Sequence, residues 1–162
     1  QFHIAILAFK LVVESDNNSI LVILGEGHLR DSLNTLIESL SLVSKVLLPG
    51  KVGNMADWYE RASVFVLSSS HEGFPNVLLE AMSYGTPAVS FDCNSGPRDI
   101  VIDGENGFLV DQKEGWEGLA EKMLVLTCSS ELMTQMSIEA AEVRNRFSIT
   151  RVCSMWHDAL VR

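Results

Sequence analysis

Positive charge is scarce in this sequence. Twelve lysines and arginines face 21 aspartates and glutamates, a formal net charge of −9 over 162 residues. Nonspecific nucleic-acid binding is mostly phosphate neutralisation by such cations, so no nucleic-acid partner is expected. The deficit equally disfavours an electrostatic hold of these residues on anionic lipid. Cysteine is sparse too. Cys93, Cys128 and Cys153 are odd in number and widely spaced, with no CxxC pair and no Cys/His cluster. This argues against a zinc site and reads as free thiols in a reducing cytoplasm. No metal ligand set stands out, and no cofactor is expected. No apolar run approaches the roughly 18 residues of a membrane span. There is no basic leader with a small-residue cleavage site, no internal repeat, no low-complexity tract and no linker. A starting Met is also missing, and Gln1-Phe2-His3-Ile4 opens inside an amphipathic pattern, so the sequence is read as a piece of a longer chain.

What is present is ordinary for a globular domain: 47% hydrophobic and 20% charged residues, with enough length for one real core. Ile20–Leu24, Lys45–Leu48, Ala62–Leu67, Pro87–Phe91 and Gly107–Val110 are short apolar runs ended by Gly, Pro, Ser or Asp. Runs without polar alternation suit parallel strands covered on both faces. Helical patterns fall between them, at about residues 2–14, 28–40, 54–61 and 76–84. The repeated strand–helix order predicts an α/β fold, a Rossmann-like doubly wound parallel sheet with right-handed crossovers. Beyond residue 113 the pattern is wholly helical, at 114–127, 130–146 and 149–161, with Trp116 and Trp156 expected as packing anchors. Nothing divides the chain, so residues 1–162 are expected to form one domain with residues 113–162 as its helical tail.

In open parallel sheets, ligands bind beyond the carboxyl ends of the strands. Four loops leave such ends: 25–28, 49–54, 68–76 and 92–99, all rich in Gly, Ser, Asn or Pro. The third carries the strongest signal. Glu72 and Glu80 flank a turn, Gly73-Phe74-Pro75-Asn76, that runs into a helix-forming stretch. Gly73 permits unusual backbone geometry, and Pro75 suits the first helical position. Asn76 and Glu80 stand one turn apart on one helix face. The first amides of such a helix lack partners and favour an anion, whereas a carboxylate one turn in suits sugar hydroxyls. One segment can thus serve both the phosphates and the sugars of a nucleotide-sugar.

Other features are weaker. Gly25-Glu26-Gly27 reads either as a tight turn or as backbone approaching a ligand; the third glycine and distal acidic residue of a dinucleotide fingerprint are missing. Arg98 faces a phosphate or, as the preferred reading, pairs with Asp99. His71 either shapes a sugar pocket or is a plain loop residue. No nucleophile-elbow set of Ser, His and Asp is visible.

The run EGFPNVLLEAMSYGTPAVS, preceded by ASVFVLSSS and followed by GPRDIVIDGENGFLV, resembles the C-terminal half of retaining glycosyltransferases of the GT-B type. More closely it resembles the large E-x(7)-E family, glycosyl transferases group 1, of bacterial polysaccharide type. The resemblance covers about residues 5–125. It implies that this domain binds a nucleotide-sugar donor. Glu80 would accept hydrogen bonds from ribose hydroxyls, and Glu72, the catalytic candidate, would contact the transferred sugar. Backbone amides of Phe74, Asn76 and Val77, beside Gly73 and Pro75, would hold sugar and diphosphate. Val52 would frame the base through its backbone with Asn54 nearby, and Gly25 and Gly27 would border the diphosphate. The implied mechanism is a front-face substitution in which the departing phosphate helps deprotonate the acceptor, without a metal ion.

The resemblance also implies features that these residues do not carry. The family's Arg/Lys pair, in a loop upstream of the helix near residue 2, has no counterpart in Lys10 or Lys51. The N-terminal domain that binds a glycan or lipid-linked acceptor is absent. These 162 residues are therefore expected to bind nucleotide weakly and not to complete transfer. The donor is expected to be a UDP-hexose or UDP-N-acetylhexosamine, and a full-length parent would meet the inner membrane face peripherally. Alternatives are a sugar-nucleotide epimerase domain and a noncatalytic nucleotide-sugar-binding module. A glycoside hydrolase fits poorly, because it needs no helix N-terminus at that place.

Overall fold

Strands and helices alternate up to residue 110, each apolar run being closed by a turn-forming residue. The computed structural model describes residues 1–161. In chain order the elements are α1 (Phe2–Ser15), β1 (Leu21–Leu24), α2 (Arg30–Ser39), β2 (Val46–Gly50), α3 (Met55–Arg61), β3 (Phe65–Leu67), α4 (Asn76–Ser83), β4 (Ala88–Phe91), α5 (Pro97–Ile100) and β5 (Gly107–Val110). A 3-10 turn at Gln112–Glu114 leads to the tail: α6 (Gly115–Thr127), α7 (Ser130–Ala141), α8 (Val143–Arg146) and α9 (Ile149–Leu160).

Every strand pair is parallel. β1 pairs with β2, and β3, β4 and β5 pair in that order, with Ala88 opposite both Phe65 and Gly107. The architecture is the expected α/β layering, but the expected single sheet is two: no ladder joins β1 to β3 among the described residues. Both sheets nevertheless share one core. Ile6, Phe9 and Val12 of α1 pack with Leu33 and Ile37 of α2, with Leu119, Met123 and Leu126 of α6, and with Val46, Val89, Phe91 and Val110 from the strands. A second cluster lies under α4, where Leu78 and Met82 meet Leu67, Ile100, Ala140 and Val143. All four residues of β4 are buried, as a strand covered on both faces should be.

Several boundaries differ from the expectation. The run 62–67 is a strand only over Phe65–Leu67, and Pro49 and Gly50 belong to β2 instead of ending it. Helix 130–146 breaks at Glu142, where the cap amide turns back to Glu139 and Ala140. The break lets Arg146 of α8 donate to the carbonyls of Asp99 and Ile100, both at 2.8 Å, which ties the tail to α5. Trp116 is half-buried against the core as expected. Trp156 is not an anchor: it is 64% exposed, and α9 buries none of its residues.

The seam between α1 and α6 should therefore dominate stability. Ile6→Ala is expected to cost about 2–5 kcal/mol, as truncation of a fully buried side chain does. Trp156→Ala should change stability by less than about 0.5 kcal/mol. Denaturant unfolding midpoints of the two variants check both, and an equal loss would contradict this packing.

Candidate functional site

The carboxyl ends of β1 to β4 are Leu24, Gly50, Leu67 and Phe91, and four loops leave from them. The structure joins these loops in pairs. Gly25, with φ +111°, donates its amide to Gly50 at 2.8 Å, which binds the first loop to the second. Arg30 adds a bond to the carbonyl of Leu48 and pairs with Glu26 at 3.3 Å. The fourth loop holds the third: Ser95 Oγ donates to the Glu72 carbonyl at 2.7 Å. Gly96, with φ +89°, lies so close that a Cβ there would sit 2.7 Å from the Gly73 oxygen and 2.7 Å from Pro75 Cδ.

The stretch from Ser68 to Pro75 is irregular, and its carbonyls are satisfied from outside. Cys93 Sγ donates to Ser69 at 3.2 Å and Gln112 Nε2 to Ser70 at 2.9 Å. Ser68 Oγ donates to the carbonyl of Gln1 at 3.0 Å. Burial pushes the Cys93 thiol up, and the charges of Glu72 and Asp92 push it further. Cys93 therefore acts as a neutral donor here and not as a thiolate.

Helix α4 opens toward this braced loop. Pro75 is its N-cap with φ −77°, not its first residue, so the first helical position falls to Asn76. Leu78 and Leu79 donate back to the Pro75 carbonyl, at 3.0 and 3.3 Å. No side chain caps the helix, and among the described residues the amides of Asn76 and Val77 have no acceptor. Asn76, Val77 and Glu80 are all exposed along the helix, and Glu72 is half-buried. A helix end with free amides is a site for negative charge.

The remaining candidates lie on the same four loops. Gly27 lies open to solvent, with no atom beyond its chain neighbours within 4 Å of where a Cβ would stand. Val52 is half-buried, and Asn54 is the exposed N-cap of α3. The Phe74 side chain points elsewhere, packing edge-on against Phe147 with ring centroids 5.7 Å apart. His71 is exposed, and its ring nitrogen lies 3.1 Å from Ser70 Oγ. Arg98 is corrected. Its partner is Asp92, held by two parallel bonds at 3.0 and 2.8 Å, whereas Asp99 accepts from the Gly96 amide at 3.3 Å. The Asp92 carboxylate holds the guanidinium above its usual pKa.

Sequence reasoning missed Tyr59. Its hydroxyl donates to Glu80 Oε2 at 3.1 Å, its ring lies 5.7 Å from that of Tyr84, and its carbonyl accepts from Thr86 Oγ1 at 2.9 Å. Burial first, and then the bond to Glu80, push the phenol up to about 12. The available signal was a tyrosine among the apolar positions of a short helix, where a hydroxyl needs a partner.

The model of the family glycosyl transferases group 1 matches residues 1–143. The chain belongs to that family. An uncharacterised glycosyltransferase of Methanocaldococcus jannaschii is 36% identical over 161 aligned positions, covering 88% of this chain and 39% of the relative. The poly(glycerol-phosphate) alpha-glucosyltransferase of Bacillus subtilis is 30% identical across 96% of this chain and 23% of its own length. Staphylococcus aureus TarM, crystallised as a mutant with fondaparinux, alpha-GlcNAc-glycerol and UDP, superposes with a TM-score of 0.91 at 28% identity, over 98% of this chain and 32% of that one. The chain thus spans about two fifths, or less, of the length of the curated relatives it matches. Its α/β layers and helical tail are those of the C-terminal half of a GT-B glycosyltransferase.

The Gly96 contact gives this family member a test. Gly96→Ala adds a Cβ at left-handed φ and into the backbone of Gly73. It should lower stability by more than about 1 kcal/mol. It should also displace the amide resonances of Gly73 to Val77. Thermal unfolding and amide NMR measure the two effects, and an unchanged loop in a folded variant would contradict the brace.

Proposed function

We propose that the chain is the donor-binding half of a retaining glycosyltransferase that moves a hexose from a UDP-sugar to a glycan or lipid-linked acceptor. The observation that carries this reading is the uncapped start of α4, with free amides at Asn76 and Val77 between the carboxylates of Glu72 and Glu80. The UDP complex of TarM and the alpha-glucosyltransferase relative support the donor class and a hexose cargo. TarM was crystallised with fondaparinux and alpha-GlcNAc-glycerol as well as UDP, which supports a glycan acceptor.

In this reading Glu80 accepts the ribose hydroxyls and Glu72 those of the transferred sugar. Amides of Phe74, Asn76 and Val77 receive the sugar and diphosphate, with Gly25 and Gly27 along the diphosphate's other side. The backbone of Val52, near Asn54, frames the base. The bond from the sugar's anomeric carbon to the β-phosphate oxygen breaks, and a bond to the acceptor oxygen forms on the same face. The acceptor's proton passes to the departing diphosphate, and UDP leaves. The protein contributes position and charge stabilisation: amide dipoles aimed at an oxyanion need no reorganisation as charge develops. Glu72 orients the sugar and forms no covalent bond to it, and no metal ion enters the scheme. The acceptor is held by residues outside this chain, in a cytoplasmic protein that meets a membrane only peripherally. No described helix is long and apolar enough to cross a membrane.

Glu80→Ala tests the reading. A hydrogen bond to a charged group is worth about 1.5–3 kcal/mol, so affinity for UDP should fall at least about tenfold while the variant stays folded. Calorimetric titration with circular dichroism as the fold control reads both. Full affinity in a folded variant would remove Glu80 from the site.

A further inference from the structure

We propose that Tyr59 is a positioning residue for the donor's ribose, its hydroxyl holding the Glu80 carboxylate in the orientation that receives the two ribose hydroxyls. The inference rests on the proposed role of Glu80 and deepens it.

Tyr59 is only 6% exposed, whereas Glu80 stands on the open face of α4. An exposed glutamate on a helix samples several rotamers, and ordering it on ligand binding opposes affinity. The Tyr59 hydroxyl removes part of that freedom in advance. It takes one lone-pair position on Oε2 at 3.1 Å, and a carboxylate has about four. Enough acceptor capacity remains for two incoming hydroxyls. The donor itself is well held. Tyr84 lies against the Tyr59 ring, and the buried Thr86 hydroxyl fixes the backbone of the same residue. The phenol, pushed up to about 12, stays protonated at any pH the protein would meet and so always donates.

Packing alone does not call for this hydroxyl. A phenylalanine ring would fill the same space, and Thr86 already joins α3 to the turn after α4. The phenol's partner is an exposed carboxylate, which water could otherwise solvate. Tyr59 also lies one helical turn beyond the loop of Val52 and Asn54, on the helix that this loop begins. It therefore links the part of the rim assigned to the base with the carboxylate assigned to the ribose.

The test compares UDP with dideoxyuridine diphosphate, which lacks both ribose hydroxyls, in the natural chain and in Tyr59→Phe. The variant is expected to lose about 3- to 10-fold in affinity for UDP, the range of one net hydrogen bond. It should keep its affinity for the dideoxy nucleotide and its melting temperature to within a few degrees. In a Glu80→Ala background the same substitution should have no further effect on UDP. Equal losses for both nucleotides would make Tyr59 a structural residue only and overturn the proposal, as would an unchanged UDP affinity. If the natural chain itself binds the two nucleotides equally, or binds neither, the role of Glu80 falls and the proposal with it. A natural chain that prefers UDP beside a variant that keeps the full preference removes Tyr59 alone. A measurement without any variant guards against misfolding. The Tyr59 hydroxyl proton resonance should shift on adding UDP and stay in place with the dideoxy nucleotide, and an equal response to both would overturn the proposal.

Discussion

The site depends on one constraint: an irregular stretch between β3 and α4 has to keep its shape without a ladder of its own. Such a stretch is fixed only when its backbone carbonyls find partners outside it. Here two neighbouring elements supply them: the fourth loop, through Cys93 to Ser69 and Ser95 to Glu72, and the 3-10 turn, through Gln112 to Ser70. Gly96 then lets the fourth loop press against Gly73 and Pro75 at a distance no side chain permits. Because Pro75 is the cap of α4, this brace also sets where the helix starts and which amides face outward. Glu72 and Glu80 lie on either side of that start, so loop, helix end and carboxylates are positioned together.

The charge pattern is consistent with such a site. The chain is acidic overall, and the guanidinium of the fourth loop is already paired with Asp92. An anion arriving here meets amide dipoles first. A helix end contributes about half an elementary charge and acts mostly within its first turn. It is therefore selective in direction and modest in strength, which under the proposed function suits a diphosphate that is released once the sugar has moved. The two carboxylates would repel a phosphate laid directly on them, so they favour hydroxyl-bearing groups on both sides of it.

Much of this was legible in the sequence. The apolar runs announced parallel strands, because a strand covered on both faces has no reason to alternate. The segment from Glu72 to Glu80 announced its helix end through Gly73, Pro75 and the apolar residues that follow. What stayed hidden depends on contacts distant in the chain. Tyr59 and Glu80 are 21 residues apart, and no pattern in either helix says that they touch. Arg98 stood next to Asp99, yet the turn of α5 directs Asp99 to its own cap and leaves Asp92 within reach. Pro75 was one position off because helix boundaries shift by a residue or two with tertiary context. Trp156 looked like an anchor by periodicity alone, but periodicity says which residues share a face and not what covers that face.

The central claim is that the free amides at the start of α4 receive the donor's diphosphate. An amide NMR titration with UDP, run beside one with uridine, tests it most directly. Large shifts at Asn76 and Val77 are expected with UDP, and uridine should not reproduce them. Shifts at these amides that are the same for both ligands, or UDP shifts confined to the outer faces of α7 and α9, would contradict it.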